Sequence, residues 1–69
     1  MIFVFKTSVK TKTQVQQLQP HIDKILPNAK WNFDLEDIDK ILRIDSEENI
    51  ALIIINLLEI HDFDCEELE

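Results

Sequence analysis

The residues best suited to chemistry lie near the C-terminal end, where His61, Asp62, Asp64 and Cys65 follow one another closely. Imidazole and carboxylate groups ligate metals, so His61 with the two aspartates is a candidate cation cluster, although a weak one. Cys65 is the only thiol, and its acidic neighbours oppose formation of a thiolate. Along an extended chain Cys65 points away from Asp62 and Asp64. The same residues therefore also fit a small core cysteine beside a solvated acidic edge.

Other polar side chains give weaker signals. His21 falls on the exposed side of a helical pattern, and Lys10 and Lys12 form the only basic spot. That spot would suit an acidic partner, or it is simply solvated. The sequence contains no paired carboxylates, no nucleophile–base couple and no glycine-rich phosphate loop, so we expect a protein that is not an enzyme and needs no cofactor.

Charge and length limit the possible partners. The 69 residues include 14 acids against 7 lysines and arginines, for a net charge of −7. Nucleic acids and anionic membrane surfaces are negatively charged and bind basic proteins, so neither is an expected partner of this acidic chain. The apolar start at Met1–Phe5 is too short for a signal peptide, and no apolar run reaches the ~20 residues of a membrane span. With one cysteine and no possible internal disulfide, the expected location is the cytoplasm.

The first half of the chain predicts a strand followed by a helix. Residues 2–9 alternate as a strand does, with Phe3 and Phe5 on one face and Ile2 and Val4 on the other. The helical repeat that follows runs to residue 26. It predicts an N-cap at Thr13, a kink at Pro20 and a left-handed exit at Asn28.

Two short strands come next. Trp31, Phe33 and Leu35 alternate with polar residues and should face a core. Leu42 and Ile44 should face inward on the following strand, with Ile41 and Arg43 outward. The tail 63–68 is either a final strand, with Phe63 and Cys65 inward, or a frayed acidic end.

The stretch 46–62 predicts the second helix, with Ser46 as its N-cap. Nine of the eleven residues from Ile50 to Ile60 are apolar, a pattern that a buried strand would also produce. The length, the cap and the polar breaks at Asn56 and Glu59 favour a helix. Helical spacing predicts a core stripe of Ala51, Ile54, Ile55 and Leu58.

This order of elements predicts a single α+β domain over residues 1–69. Strand, helix, strand, strand, helix, strand is the ferredoxin-like βαββαβ pattern. We expect a four-stranded sheet in the order 4-1-3-2, with both helices on one face.

Several stretches of the sequence resemble the heavy-metal-associated, copper-chaperone-like domain. The resemblance covers nearly the whole chain and is carried by Phe5-Lys6-Thr7-Ser8-Val9-Lys10, Val15, Leu18, Pro20, Trp31-x-Phe-Asp-Leu-Glu-Asp and Asp39-Lys40-Ile41-Leu42, with an aromatic residue after the second helix. Members of that family bind Cu(I) or similar soft metals through a Cys-x-x-Cys in the first loop. The two cysteine positions fall here on Thr11 and Gln14, whose oxygens are poor ligands for a soft metal. The family glycines are matched by Asn28 after the first helix and by Asp62 before the final aromatic.

Two functional hypotheses follow. The first is an interaction domain on a heavy-metal-associated scaffold that has lost its metal site. The second is a metal-handling domain that uses other ligands, with Cys65 and His61 the available ones, or a site shared between two chains. The missing Cys-x-x-Cys favours the first.

Apolar residues left outside the core stripe point to an interaction surface. A helix that is apolar almost all round is usually buried on more than one side. We expect Ile53, Leu57 and Ile60 on the outer flank of the second helix, and Ile2, Val4 and Ile41 on the open sheet face. These residues predict a homodimer or the binding of another protein, with the helix flank preferred as the contact. The alternative is a set of scattered surface aliphatics.

Overall fold

A computed structural model of the chain describes residues 1–68, so that Glu69 of the predicted 1–69 domain lies outside the described part. Six elements follow one another as the sequence predicts. They are β1 (Ile2–Thr7), α1 (Lys12–Ile25), β2 (Lys30–Asp34), β3 (Ile41–Asp45), α2 (Ala51–Ile60) and β4 (Cys65–Leu68).

The four strands form one sheet in the order β2-β3-β1-β4, and every neighbouring pair is antiparallel. The predicted ferredoxin-like α+β fold and its strand order are therefore confirmed. The tail forms the fourth strand rather than an acidic end without structure, and it pairs with β1 so that Thr7 lies opposite Cys65. β2 and β4 are the two edges of the sheet.

The core lies between the sheet and the two helices. Alternation along β1 and β3 places Phe3, Phe5, Leu42 and Ile44 on the face that both helices cover, and all four are buried. Partly buried side chains close the margins of this core, as the sequence predicts for Trp31, Phe33, Leu35, Phe63 and Cys65.

The start and the end of α1 differ from expectation. The N-cap is Thr11 rather than Thr13, because the Thr11 hydroxyl accepts from the backbone N–H of Gln14. The helix continues through Pro20 to Ile25. Its C-cap, Leu26, has φ −122° and ψ 64° and so is not left-handed, and Asn28 does not have a positive φ.

The start of α2 also differs. The helix begins at Ala51 with Ile50 as N-cap, and Ser46 does not cap it. The Ser46 hydroxyl instead accepts from the backbone N–H of Glu48, and the Asn49 side chain accepts from that of Ala51. Ile50 is buried in the core, so the residue before the helix contributes packing and no side-chain cap bond.

Two residues have left-handed backbone conformations in a chain without glycine. Asp62 has φ 67° at the turn before Phe63, at the position where the resemblance places a glycine. Lys40 has φ 51°, which the sequence did not signal. Its side chain compensates by donating to the carbonyl of Leu35 at 2.7 Å, while its own carbonyl accepts from the hydroxyl of Thr7.

Within residues 1–68, neither helix has the length and apolar character needed to cross a membrane.

Candidate functional site

The outer surface of α2 carries an aliphatic stripe. Leu52, Ile53 and Ile60 are 75%, 47% and 76% exposed, with Asn56 and Glu59 on the same exposed side. We call Leu52, Ile53 and Ile60 the α2 stripe. Leu57, predicted on this flank, is only 7% exposed and packs in the core. The helix is rotated so that Leu57 and Leu58 both point inward, which corrects the predicted facing of Leu57.

The open face of the sheet is less apolar than expected. Ile2 and Val4 alternate with the buried Phe3 and Phe5, which places them on the open face as predicted; Ile2 is exposed and Val4 is half-buried. Ile41 does lie on this face, opposite Lys6 and Asp34 in the strand register, but it is only 5% exposed. Its burial removes it from any contact surface, which corrects that part of the prediction.

Ion pairs cross the same face. The Arg43 guanidinium lies 3.7 Å from the Asp34 carboxylate, and the Lys6 ammonium lies 3.7 Å from the Asp39 carboxylate. These groups are roughly half exposed, so each pair contributes little to stability. They make the face polar and leave α2 as the larger exposed aliphatic surface.

The side chains of Thr11 and Gln14 form a capping box at the start of α1. Gln14 donates its backbone N–H to the Thr11 hydroxyl at 3.1 Å, and its side-chain oxygen accepts from the backbone N–H of Thr11 at 3.3 Å and of Lys10 at 2.7 Å. Helix N-termini leave backbone N–H groups without partners, and these bonds satisfy three donors there. The two positions to which the resemblance assigns cysteines therefore cap the start of α1.

Cys65 lies in β4 with its side chain toward the core and partly buried. Burial, helped by the negative charge of Glu59, raises the pKa of the thiol from 9.0 to about 12. A thiol with so high a pKa stays protonated at neutral pH, which makes it a poor nucleophile and a poor ligand.

The two histidines meet on the helix layer, which the sequence did not indicate. The ring of His21 on α1 lies 4.4 Å from that of His61 at the end of α2, with a tilt of 46° between the planes. The Nδ1 of His61 donates to the carbonyl of Leu57 at 2.8 Å, since a carbonyl can only accept. In a neutral imidazole with this bond, Nε2 is the ring nitrogen that carries the lone pair. His21 is exposed, as predicted.

The predicted cluster of His61, Asp62 and Asp64 does not come together as a metal site. Over the described residues no group of three or more histidine, cysteine, aspartate or glutamate side chains could hold a metal ion. The Asp64 backbone instead links the residue before β4 to the residue after β1. Its N–H donates to the Ser8 hydroxyl at 2.8 Å, and its carbonyl accepts from the Ser8 N–H at 3.1 Å.

A groove of about 940 Å³ runs along the outer edge of β2, between that strand and α1. Val15 and Ala29 form its apolar floor together with Trp31 and Phe33, whose rings meet edge to face. The Trp31 indole N–H donates to the Asp23 carboxylate at 3.0 Å and ties β2 to α1. The strand order predicted from sequence already placed β2 at an edge, but the groove depends on the position of α1 and could not be predicted.

Comparison with protein-family models, curated proteins and solved structures found no match to this chain.

Proposed function

We propose that this chain is a non-enzymatic protein-interaction domain, and that the α2 stripe is its docking surface. The exposure of three large aliphatic side chains on one helix face is the observation that supports this proposal. Burying each of them would contribute about 1.5–3 kcal/mol before the cost of association. Such a surface suits an amphipathic helix laid along α2.

The charges around the stripe favour a basic partner. Glu59 and Asp62 are exposed beside Ile60, and the whole chain carries −7. Two copies that met through α2 would bring these acids together, whereas a helix with lysines or arginines flanking its apolar face would pair with them. We therefore favour another protein over a second copy of this chain at this surface. A reducing compartment such as the cytoplasm fits a domain whose only cysteine is unpaired.

A titration with a model partner tests the proposal. The probe is a synthetic amphipathic helix of leucine and lysine, followed by NMR on the isotopically labelled chain, with a scrambled peptide of equal charge beside it. We expect shift changes along Leu52, Ile53 and Asn56 with the amphipathic peptide alone. Ile60→Glu should weaken binding about tenfold or more. Ile38→Glu changes an isolated exposed aliphatic elsewhere and should not weaken it. Equal binding of both peptides, or shifts outside α2, would refute the docking surface.

The second part of the proposal is that the scaffold is heavy-metal-associated in type and has lost its metal site at Thr11 and Gln14. Both side chains lie at the start of α1, where the resemblance places the cysteines. The double variant Thr11→Cys/Gln14→Cys should bind one Cu(I) ion in a native mass-spectrometry titration, because it restores the sulfur ligands that a soft metal prefers. Failure of the folded double variant to bind Cu(I) would argue against this type of scaffold.

The juxtaposed histidines support a second candidate function, the binding of a divalent metal. In metal sites a ligating histidine usually donates its other ring N–H to a carbonyl or carboxylate, as His61 does to Leu57. Two imidazoles alone make a weak site, so a second chain or solvent would complete the coordination. Titration with Zn(II) should show binding that His21→Ala abolishes and Cys65→Ser retains. Binding that depends on Cys65 would instead implicate the thiol.

A further inference from the structure

The outer edge of β2 is open to another strand. β2 is an edge of the sheet and pairs only with β3 among the strands of residues 1–68. An edge strand presents a row of backbone N–H and C=O groups that can pair with another strand. The groove beside it leaves room for side chains on the helix-facing side.

The sequence of β2 is complementary to itself. Lys30, Trp31, Asn32, Phe33 and Asp34 make up the strand. In an antiparallel pairing of two copies centred on Asn32, each Lys30 lies opposite an Asp34 and each Trp31 opposite a Phe33. Opposite charges and aromatic pairs are the combinations that stabilise neighbouring strands, and a two-fold axis makes each of them occur twice.

The two kinds of pair fall on the correct sides of the sheet. In the register with β3, Lys30 and Asp34 lie on the open face, whereas Trp31 and Phe33 lie opposite Ile44 and Leu42 on the helix-facing side. The ion pairs would therefore form in solvent. The half-buried aromatic rings would extend the core of one copy into that of the other.

The surroundings of this edge do not repel a second copy. The chain as a whole carries −7, but the charged residues that line the groove are balanced. They comprise the basic Lys12, Lys30 and Arg43 and the acidic Asp23, Asp34 and Glu36.

The other edge of the sheet, β4, has a sequence that disfavours pairing with a second copy of itself. β4 is Cys65–Leu68, and its two central residues are Glu66 and Glu67. Antiparallel pairing of two β4 strands about their centre would place Glu66 opposite Glu67 in both halves. Like charges at opposed positions disfavour pairing, and charged residues protect edge strands in this way. Of the two sheet edges in residues 1–68, β2 is therefore the one whose sequence suits pairing with a second copy of itself.

We propose that two copies of this chain join through β2 into a two-fold dimer with one continuous eight-stranded sheet. The proposal goes beyond the docking function of α2, because it concerns a different surface. α2 packs beside β4, whereas the groove lies between β2 and α1, at the other end of the sheet. The dimer therefore leaves both α2 stripes free and makes the domain bivalent for its partner.

A charge-reversal experiment tests the proposal, with mass measured by light scattering after size exclusion at high micromolar concentration. The native chain should be a dimer. Lys30→Glu faces Asp34 of the second copy, and Asp34→Lys faces Lys30, so each variant alone should dimerise several-fold more weakly than the native chain and show a larger monomer fraction. An equimolar mixture of the two variants should form a dimer again, because both cross-strand pairs then have opposite charges.

Lys10→Glu is the matched control, since it makes the same charge change at an exposed lysine outside the groove and should remain a dimer. Thermal melts establish that each variant is folded. If a charge variant does not fold, Asn32→Lys replaces it, because two lysines opposite each other on the axis should also raise the monomer fraction. A monomeric native chain, charge variants with the same monomer fraction as the native chain, or a mixture that dimerises no more tightly than either variant would each overturn the proposal. Ile60→Glu should leave the dimer intact while it weakens binding of the amphipathic peptide. The two measurements therefore distinguish failure of the β2 dimer from failure of the α2 docking surface.

Discussion

Thr11 and Gln14 show how a helix can use positions that the resemblance would give to a metal. The Thr11 hydroxyl caps α1, whereas Thr13, the cap expected from sequence, lies inside the helix and is exposed. Thr11→Ala should lower the free energy of unfolding by about 0.5–2 kcal/mol. Thr13→Ala is the matched control and should change it by less than about 0.5 kcal/mol. Urea unfolding measures both, and equal losses would show that the capping box does not stabilise the helix.

Cys65 gives a prediction in alkaline solution. Its folded pKa of about 12 exceeds the ordinary value of 9.0, so the folded state holds the proton more tightly than the unfolded chain. The resulting stability is fully present below pH 9.0 and is lost as the pH rises toward about 12. The stability advantage of the native chain over Cys65→Ser should therefore shrink across that window. A constant difference would contradict the buried, protonated thiol.

The same residue predicts low reactivity at neutral pH. Iodoacetamide reacts with thiolates, and the protonated Cys65 supplies very few of them. We expect labelling, measured by mass spectrometry, to be slow in the folded chain and fast in denaturant. Rapid labelling without denaturant would show that the thiol is exposed or activated.

At the scale of elements, α2 contains both buried and exposed aliphatic residues within one apolar run. Leu57 is buried and Ile60 is exposed, although both lie in the same apolar run. Leu57→Ala should cost about 2–5 kcal/mol, which approaches the whole stability of a domain this small. Ile60→Ala should cost less than about 0.5 kcal/mol. Thermal unfolding compares them, and a large loss at Ile60 would mean that the α2 stripe is part of the core.

The strands could be predicted more accurately than the helices, for a physical reason. Alternation in β1 and β3 separates the two faces by type, so the inward positions of Phe5, Leu42 and Ile44 follow directly from the sequence. In α2 only Asn56 and Glu59 are polar, so the sequence defines the rotation of the helix loosely, and the predicted facing of Leu57 was wrong. Helix starts were also missed, because several residues in sequence could act as caps.

At the scale of the whole molecule, the order of elements was sufficient to predict the sheet and its strand order. What could not be predicted depends on residues distant in the chain. His21 and His61 are far apart in sequence and meet only because α1 and α2 pack side by side. The groove along β2 likewise exists only because α1 lies across the sheet. The left-handed conformation at Lys40 could not be predicted, because lysine is not a residue type that favours it.

The central claim is that the α2 stripe docks another protein, and cross-linking in living cells tests it most directly. A photoreactive amino acid is placed at position 60 or, as the control, at position 38, whose isoleucine is 95% exposed outside the stripe. We predict a discrete cross-linked partner from position 60 that disappears when Ile53→Glu is added, and none from position 38. Identical products from both positions, or a product at position 60 that survives Ile53→Glu, would contradict the claim.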